Sequence, residues 1–102
     1  MPQTPAPKSV ALTLVTAVGQ EIPVTGTSFT IGRQFDCHYR PDSVQVSRRH
    51  TLLLHEPEGW FVEDMGSAMG TFHNERPLTH RQRLTDGDEL RVADVKLRIR
   101  LR

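Results

Sequence analysis

The chain has 102 residues, 36% hydrophobic and 25% charged, which suits one soluble globular domain with a single core. Thirteen basic residues against twelve acidic ones leave a net charge of +1, which excludes a nucleic-acid binder driven by global charge. No apolar run approaches the ~18 residues that a membrane span needs, so no membrane association is expected.

Residues 1–8 carry Pro2, Pro5 and Pro7 and read as a flexible or extended tail, leaving residues 9–102 as the domain. The tail has no apolar signal region, and Cys37 is the single cysteine, so no intrachain disulfide forms. Both points make the cytoplasm the expected compartment. From Ser9 the pattern has period two: Val10, Leu12 and Leu14 alternate with Ala11 and Thr13, as in a half-buried strand. Gly19 marks a turn, and Ile22 and Val24 form a second strand that Pro23 pushes to a sheet edge. Ser28 to Ile31 is a third β-prone run, stopped by Gly32. A long polar stretch from Arg33 to Arg49 follows, and loops of this length in small domains are often functional.

His50 to His55 is rich in leucine. Pro57-Glu58-Gly59 connects it to Trp60-Phe61-Val62 as a hairpin. Asp64 to Gly70 is a loop, and Thr71-Phe72-His73 is short and β-prone. Asp86-Gly87 turns the chain into Glu89 to Val92, and Ala93-Asp94 turns it again. In the last strand Val95, Leu97, Ile99 and Leu101 alternate with Lys96, Arg98, Arg100 and Arg102. Its basic face reads as the solvent side of a charge-protected edge strand; contact with nucleic acid or an acidic partner is the disfavoured alternative. No helical periodicity of useful length occurs. Many short strands with frequent turns predict an all-β sandwich or barrel.

Three segments concentrate the chemistry: Gly32-Arg33, Ser47-Arg48-Arg49-His50, and Gly66 to Asn74. In a sandwich, loops distant in sequence meet at the ends. A phosphate group carries nearly two charges and three acceptor oxygens. A guanidinium fork matches two of those oxygens, and a serine hydroxyl or loop amide takes the third. Arg33, Ser47 and Arg48 are groups of this kind, and Gly32 would allow close backbone approach and free φ. Spacing alone does not show that the fold gathers them. The bland reading of each segment in isolation is a solvated basic turn. The five histidines lack metal-ligand spacing, and no metal or other cofactor is expected. Ser47 and His50 lack the nucleophile elbow and orienting acid of a hydrolase, so no enzyme activity is expected.

The order Phe29-Thr30-Ile31-Gly32-Arg33, Val46-Ser47-Arg48-Arg49-His50, Trp60 to Ser67, Gly70 to Asn74 and Leu84 to Leu90 resembles a forkhead-associated (FHA) domain over roughly residues 10–101. The resemblance implies a β-sandwich of two twisted, mainly antiparallel sheets with about eleven strands. It implies an adaptor in Ser/Thr-kinase signalling, of the kind found in bacteria, that binds phosphothreonine-containing proteins or peptides. Arg33 and Ser47 match the family's phosphate contacts, and Arg48 sits where a further donor is common. His50 matches the loop-shaping histidine and Asn74 the loop-supporting asparagine. Arg49, Ala68, Met69 and Gly70 complete the peptide-binding or loop-supporting set. The pattern departs where Met69 replaces the asparagine that clamps the peptide backbone and Ala68 replaces a polar residue. A thioether is at most a weak acceptor. The alternative is therefore an FHA-fold interaction domain with weakened or lost phosphate dependence. Asn74-Glu75 in place of Asn-Gly makes a tight type I′ turn less favourable. Homo-oligomer formation, or self-capture of the tail phosphorylated at Thr4, stays open.

Overall fold

The computed structural model describes residues 10–102, so the expected tail and its Thr4 lie outside the described residues. The described chain contains ten strands and no helix: β1 (Leu12–Thr16), β2 (Glu21–Val24), β3 (Ser28–Ile31), β4 (Thr51–Glu56), β5 (Gly59–Asp64), β6 (Thr71–His73), β7 (Arg76–Pro77), β8 (Gln82–Arg83), β9 (Glu89–Val92) and β10 (Val95–Leu101). Among the described residues, no helix is long and apolar enough to cross a membrane.

The strands form two sheets, one of six in the order β2-β1-β10-β9-β6-β7 and one of four in the order β3-β4-β5-β8. Every strand pairing is antiparallel. Period-two alternation turns Leu12 and Leu14 of β1, Leu53 of β4, Trp60 and Val62 of β5, and Leu97 and Ile99 of β10 into a shared core. This is the predicted all-β sandwich, with ten strands where about eleven were expected.

Two local expectations are corrected, and the expected edge position of β2 holds. The basic strand β10 lies between β1 and β9 rather than at an edge. Its strict alternation reflects burial of one face only, which the interior of a one-sided antiparallel sheet also shows. The edge is β2, where Pro23 sits without interrupting a ladder on its outer side. The turn at Asn74-Glu75 does adopt the tight form, with φ of 51° and 69° and a two-residue connection between His73 and Arg76. Asn74 anchors it: its N–H donates to Glu89 O (2.9 Å), its Oδ1 accepts from Glu89 N (2.8 Å), and its Nδ2 donates to Asp88.

Candidate functional site

The site grows from one cross-strand row. Ile31 at the end of β3 pairs with Thr51 at the start of β4, and Thr51 pairs with Asp64 at the end of β5. Adjacent strands lie about 4.8 Å apart, so the roots of three loops fall within about 10 Å. β6 joins from the other sheet: the Thr71 hydroxyl donates to Asp64 Oδ1 (2.6 Å) and stands 2.9 Å from Thr51 Oγ1. Because Thr71 spends its proton on the carboxylate, Thr51 is the donor of the second bond.

The stretch from Gly32 to His50 is long but tethered. Val46 reaches into the core with no exposed surface and fixes the residues after it. Arg33 N–H donates to Ser47 O and Gln34 N–H to Arg48 O, both at 3.1 Å, laying the two limbs side by side. Gly32 is required by space. A Cβ there would stand 2.2 Å from Arg48 O and 3.0 Å from Cys37 Sγ. The φ freedom expected at this glycine is not used, since its backbone stays outside the left-handed region.

His50, fully buried, holds the second limb against the third. Its Nδ1 accepts from Ser47 N–H (3.0 Å), which leaves the ring proton on Nε2 to donate to Gly70 O (2.8 Å). Gly70 itself sits at φ 87°, where glycine is favoured. The third loop closes over this pair. Met65 N–H donates to His50 O (2.9 Å), and Ala68 N–H donates to Ser47 Oγ (3.0 Å). Since that oxygen accepts from Ala68, the Ser47 hydroxyl proton is left to point at an incoming acceptor.

Asp64 shapes the third loop. Its carboxylate accepts from Gly66 N, Ser67 N, Ser67 Oγ and Thr71 Oγ1. Burial pushes the Asp64 carboxyl up, but the bonds from Ser67 and Thr71 outweigh it and hold the group below the ordinary carboxylate range.

Charge is distributed unevenly among the arginines. Arg49 is paired with Asp36 at 2.6 Å, so it ties the first limb to the second. Arg33 and Arg48 take part in no ion pair among the described residues. Arg33 donates through Nε to Val46 O, and Arg48 is exposed. Arg40 donates through Nε to Arg33 O (3.2 Å) and joins Arg33, Pro41, Asp42, Ser43 and Val44 in lining a cleft of about 400 Å³.

The structure therefore gathers Gly32, Arg33, Ser47, Arg48, His50, Ala68, Met69 and Gly70 at one end of the sandwich. Arg49 supports the loops through Asp36. Asn74 stands apart, at the opposite end of β6 from Thr71, and braces the turn before β9 instead. The sequence reading missed Asp64, Thr51, Thr71 and Arg40. Asp64 carried a signal, a short acid followed by Gly66 and Ser67, the composition of an Asx turn. Among the described residues, no three His, Cys, Asp or Glu side chains are gathered as a metal site requires.

A profile of the FHA domain matches residues 29–93, the segment that holds every tether just described. The chain belongs to the FHA domain family. The FHA domain-containing protein FhaA of Mycobacterium tuberculosis is 31% identical over 93 residues, 91% of this chain and 18% of FhaA. The transcriptional regulatory protein EmbR of Mycobacterium tuberculosis is 28% identical over 78 residues, 76% of this chain and 20% of EmbR. The chain thus spans about a fifth of the length of these relatives. A solved structure described as an analysis of phosphothreonine-dependent FHA domain interactions superimposes with a TM-score of 0.83 at 28% identity, covering 90% of this chain and 97% of that one.

Proposed function

We propose that this FHA domain is a cytoplasmic adaptor that binds a phosphothreonine segment of a partner protein in Ser/Thr-kinase signalling, without catalysis of its own. The observation that carries this reading is the convergence at Ser47. Its hydroxyl proton is free to donate, and Arg48 beside it and Arg33 on the adjoining limb have no carboxylate partner among the described residues. Two guanidinium groups and one hydroxyl match the charge and the acceptors of a phosphate monoester. Supporting it, the FHA domain structure of 28% identity named above is described by its phosphothreonine-dependent interactions.

The test is titration of a phosphothreonine peptide library and its unphosphorylated counterpart, followed by fluorescence polarisation. Phosphate-dependent binding is expected. Arg33→Ala and Ser47→Ala should each weaken it by at least tenfold, as loss of a charge-assisted hydrogen bond worth about 1.5–3 kcal/mol requires. Binding should also fall as salt rises. Equal affinity for both peptide forms refutes the reading.

Ala68 and the half-exposed Met69 favour a second reading, an FHA-fold interaction domain that has lost phosphate dependence. In that case Met69→Ala weakens partner binding and Arg33→Ala leaves it unchanged.

A further inference from the structure

Six large apolar side chains are exposed among the described residues: Val10, Val18, Phe35, Val44, Met65 and Met69. Scattered singly they would need no explanation. Four of the six lie on the loops that build the candidate site, and two of these, Phe35 and Met69, each directly follow a residue whose backbone N–H is bonded to Arg48 or Ser47.

Phe35 follows Gln34, whose N–H is bonded to Arg48 O, and it is 81% exposed at the tip of the turn closed by Cys37 N–H to Gln34 O. Met69 follows Ala68, whose N–H is bonded to Ser47 Oγ, and it is 52% exposed. Gln34 thus joins the loop of Phe35 to Arg48 and Ala68 joins the loop of Met69 to Ser47, so each apolar residue is one position beyond a backbone group bonded to this pair. An extended peptide advances about 3.3–3.6 Å per residue, so the neighbours of a residue anchored at Ser47 and Arg48 fall within reach of both.

We propose that the phosphothreonine recognised here is flanked on both sides by bulky apolar residues, one resting on Phe35 and the other on Met69. This rests on the phosphothreonine reading above and names its substrate class. The competing expectation is acidic flanks, drawn by Arg40 and Arg48. Exposed ion pairs in water change affinity by about fivefold at most. Covering a phenyl ring and a methionine side chain removes much more apolar surface from water. Methionine also adapts its shape to what it meets, and the Met69 side chain offers a peptide backbone no donor and at most a weak acceptor.

The test uses the full chain and phosphothreonine peptides in which single positions flanking the phosphate carry leucine, phenylalanine, alanine or aspartate. Leucine or phenylalanine should bind about tenfold tighter than alanine, and aspartate no tighter than alanine. Phe35→Ser should flatten the preference on one flank and Met69→Ala on the other. Their urea-unfolding midpoints, followed by the fluorescence of Trp60, should match the parent, which shows that the variants remain folded. Phosphate-dependent binding with no apolar preference, or with a preference for aspartate, overturns this inference and leaves the phosphothreonine reading standing. Absence of phosphate-dependent binding by the parent chain overturns both.

Discussion

Gly32→Ala inserts one methyl group into a gap that holds none. The new Cβ would meet Arg48 O at 2.2 Å and Arg48 C at 2.8 Å, both backbone atoms that cannot rotate away. Ordinary contact begins near 3.4 Å, so the limb carrying Arg48 must retreat by roughly 1 Å. That movement stretches the 3.1 Å bonds from Arg33 N–H and Gln34 N–H beyond useful length. Two lost hydrogen bonds at about 1 kcal/mol each, with overpacking of about 1–3 kcal/mol, give a destabilisation of about 3 kcal/mol or more. Urea unfolding read by the fluorescence of Trp60, the single tryptophan, measures it directly, because the indole is 3% exposed in the native state. Gly66→Ala is the control. That position has open space around it but a φ of 76°, so alanine there should lose only about 1 kcal/mol. If Gly32→Ala proves no less stable than Gly66→Ala, close approach is not what this glycine supplies.

Two further outcomes test other parts of the fold. Burial pushes the Asp88 carboxyl up, but hydrogen bonds from His73, Thr85 and Asn74 outweigh it and bring it to about 2, below its value of 3.8 when unperturbed. Its stabilisation, about 2 kcal/mol, is therefore complete above about pH 5 and is lost as pH falls towards 2. Asp88→Asn should flatten the fall in unfolding free energy over that window, and an unchanged acid limb would contradict the assignment. Glu75→Gly should stabilise the chain by about 0.5–1 kcal/mol, because glutamate now holds a φ of 69° that glycine adopts freely. A lower midpoint in thermal unfolding would show that the Glu75 side chain contributes more than its backbone strain removes.

Where alternation was long, the sequence carried the fold plainly. Leu12 and Leu14, and Leu97 and Ile99, reveal their buried face because period two persists over several residues. β7 and β8 were invisible because two residues cannot display a period. β10 was misplaced at an edge because a one-sided interior strand and a charged edge strand share the same alternation. At the candidate site, residue chemistry marked Arg33, Ser47 and Arg48. Their convergence depends on the register that aligns Ile31, Thr51 and Asp64, which is a tertiary fact with no local signature. Arg40 escaped notice because it lies mid-loop without a motif. Asn74 and Arg49 were marked by pattern, and only coordinates separate what each one braces.

The four donors that converge on Asp64 have a kinetic consequence. They set the shape of residues 64–70 before any ligand arrives, so docking requires little ordering of that segment. On the proposed phosphothreonine reading, encounter is then governed by long-range attraction between the phosphate and the guanidinium groups of Arg33 and Arg48, which form no ion pair among the described residues. Variants of the rim should accordingly differ in how long a complex lasts far more than in how fast it assembles.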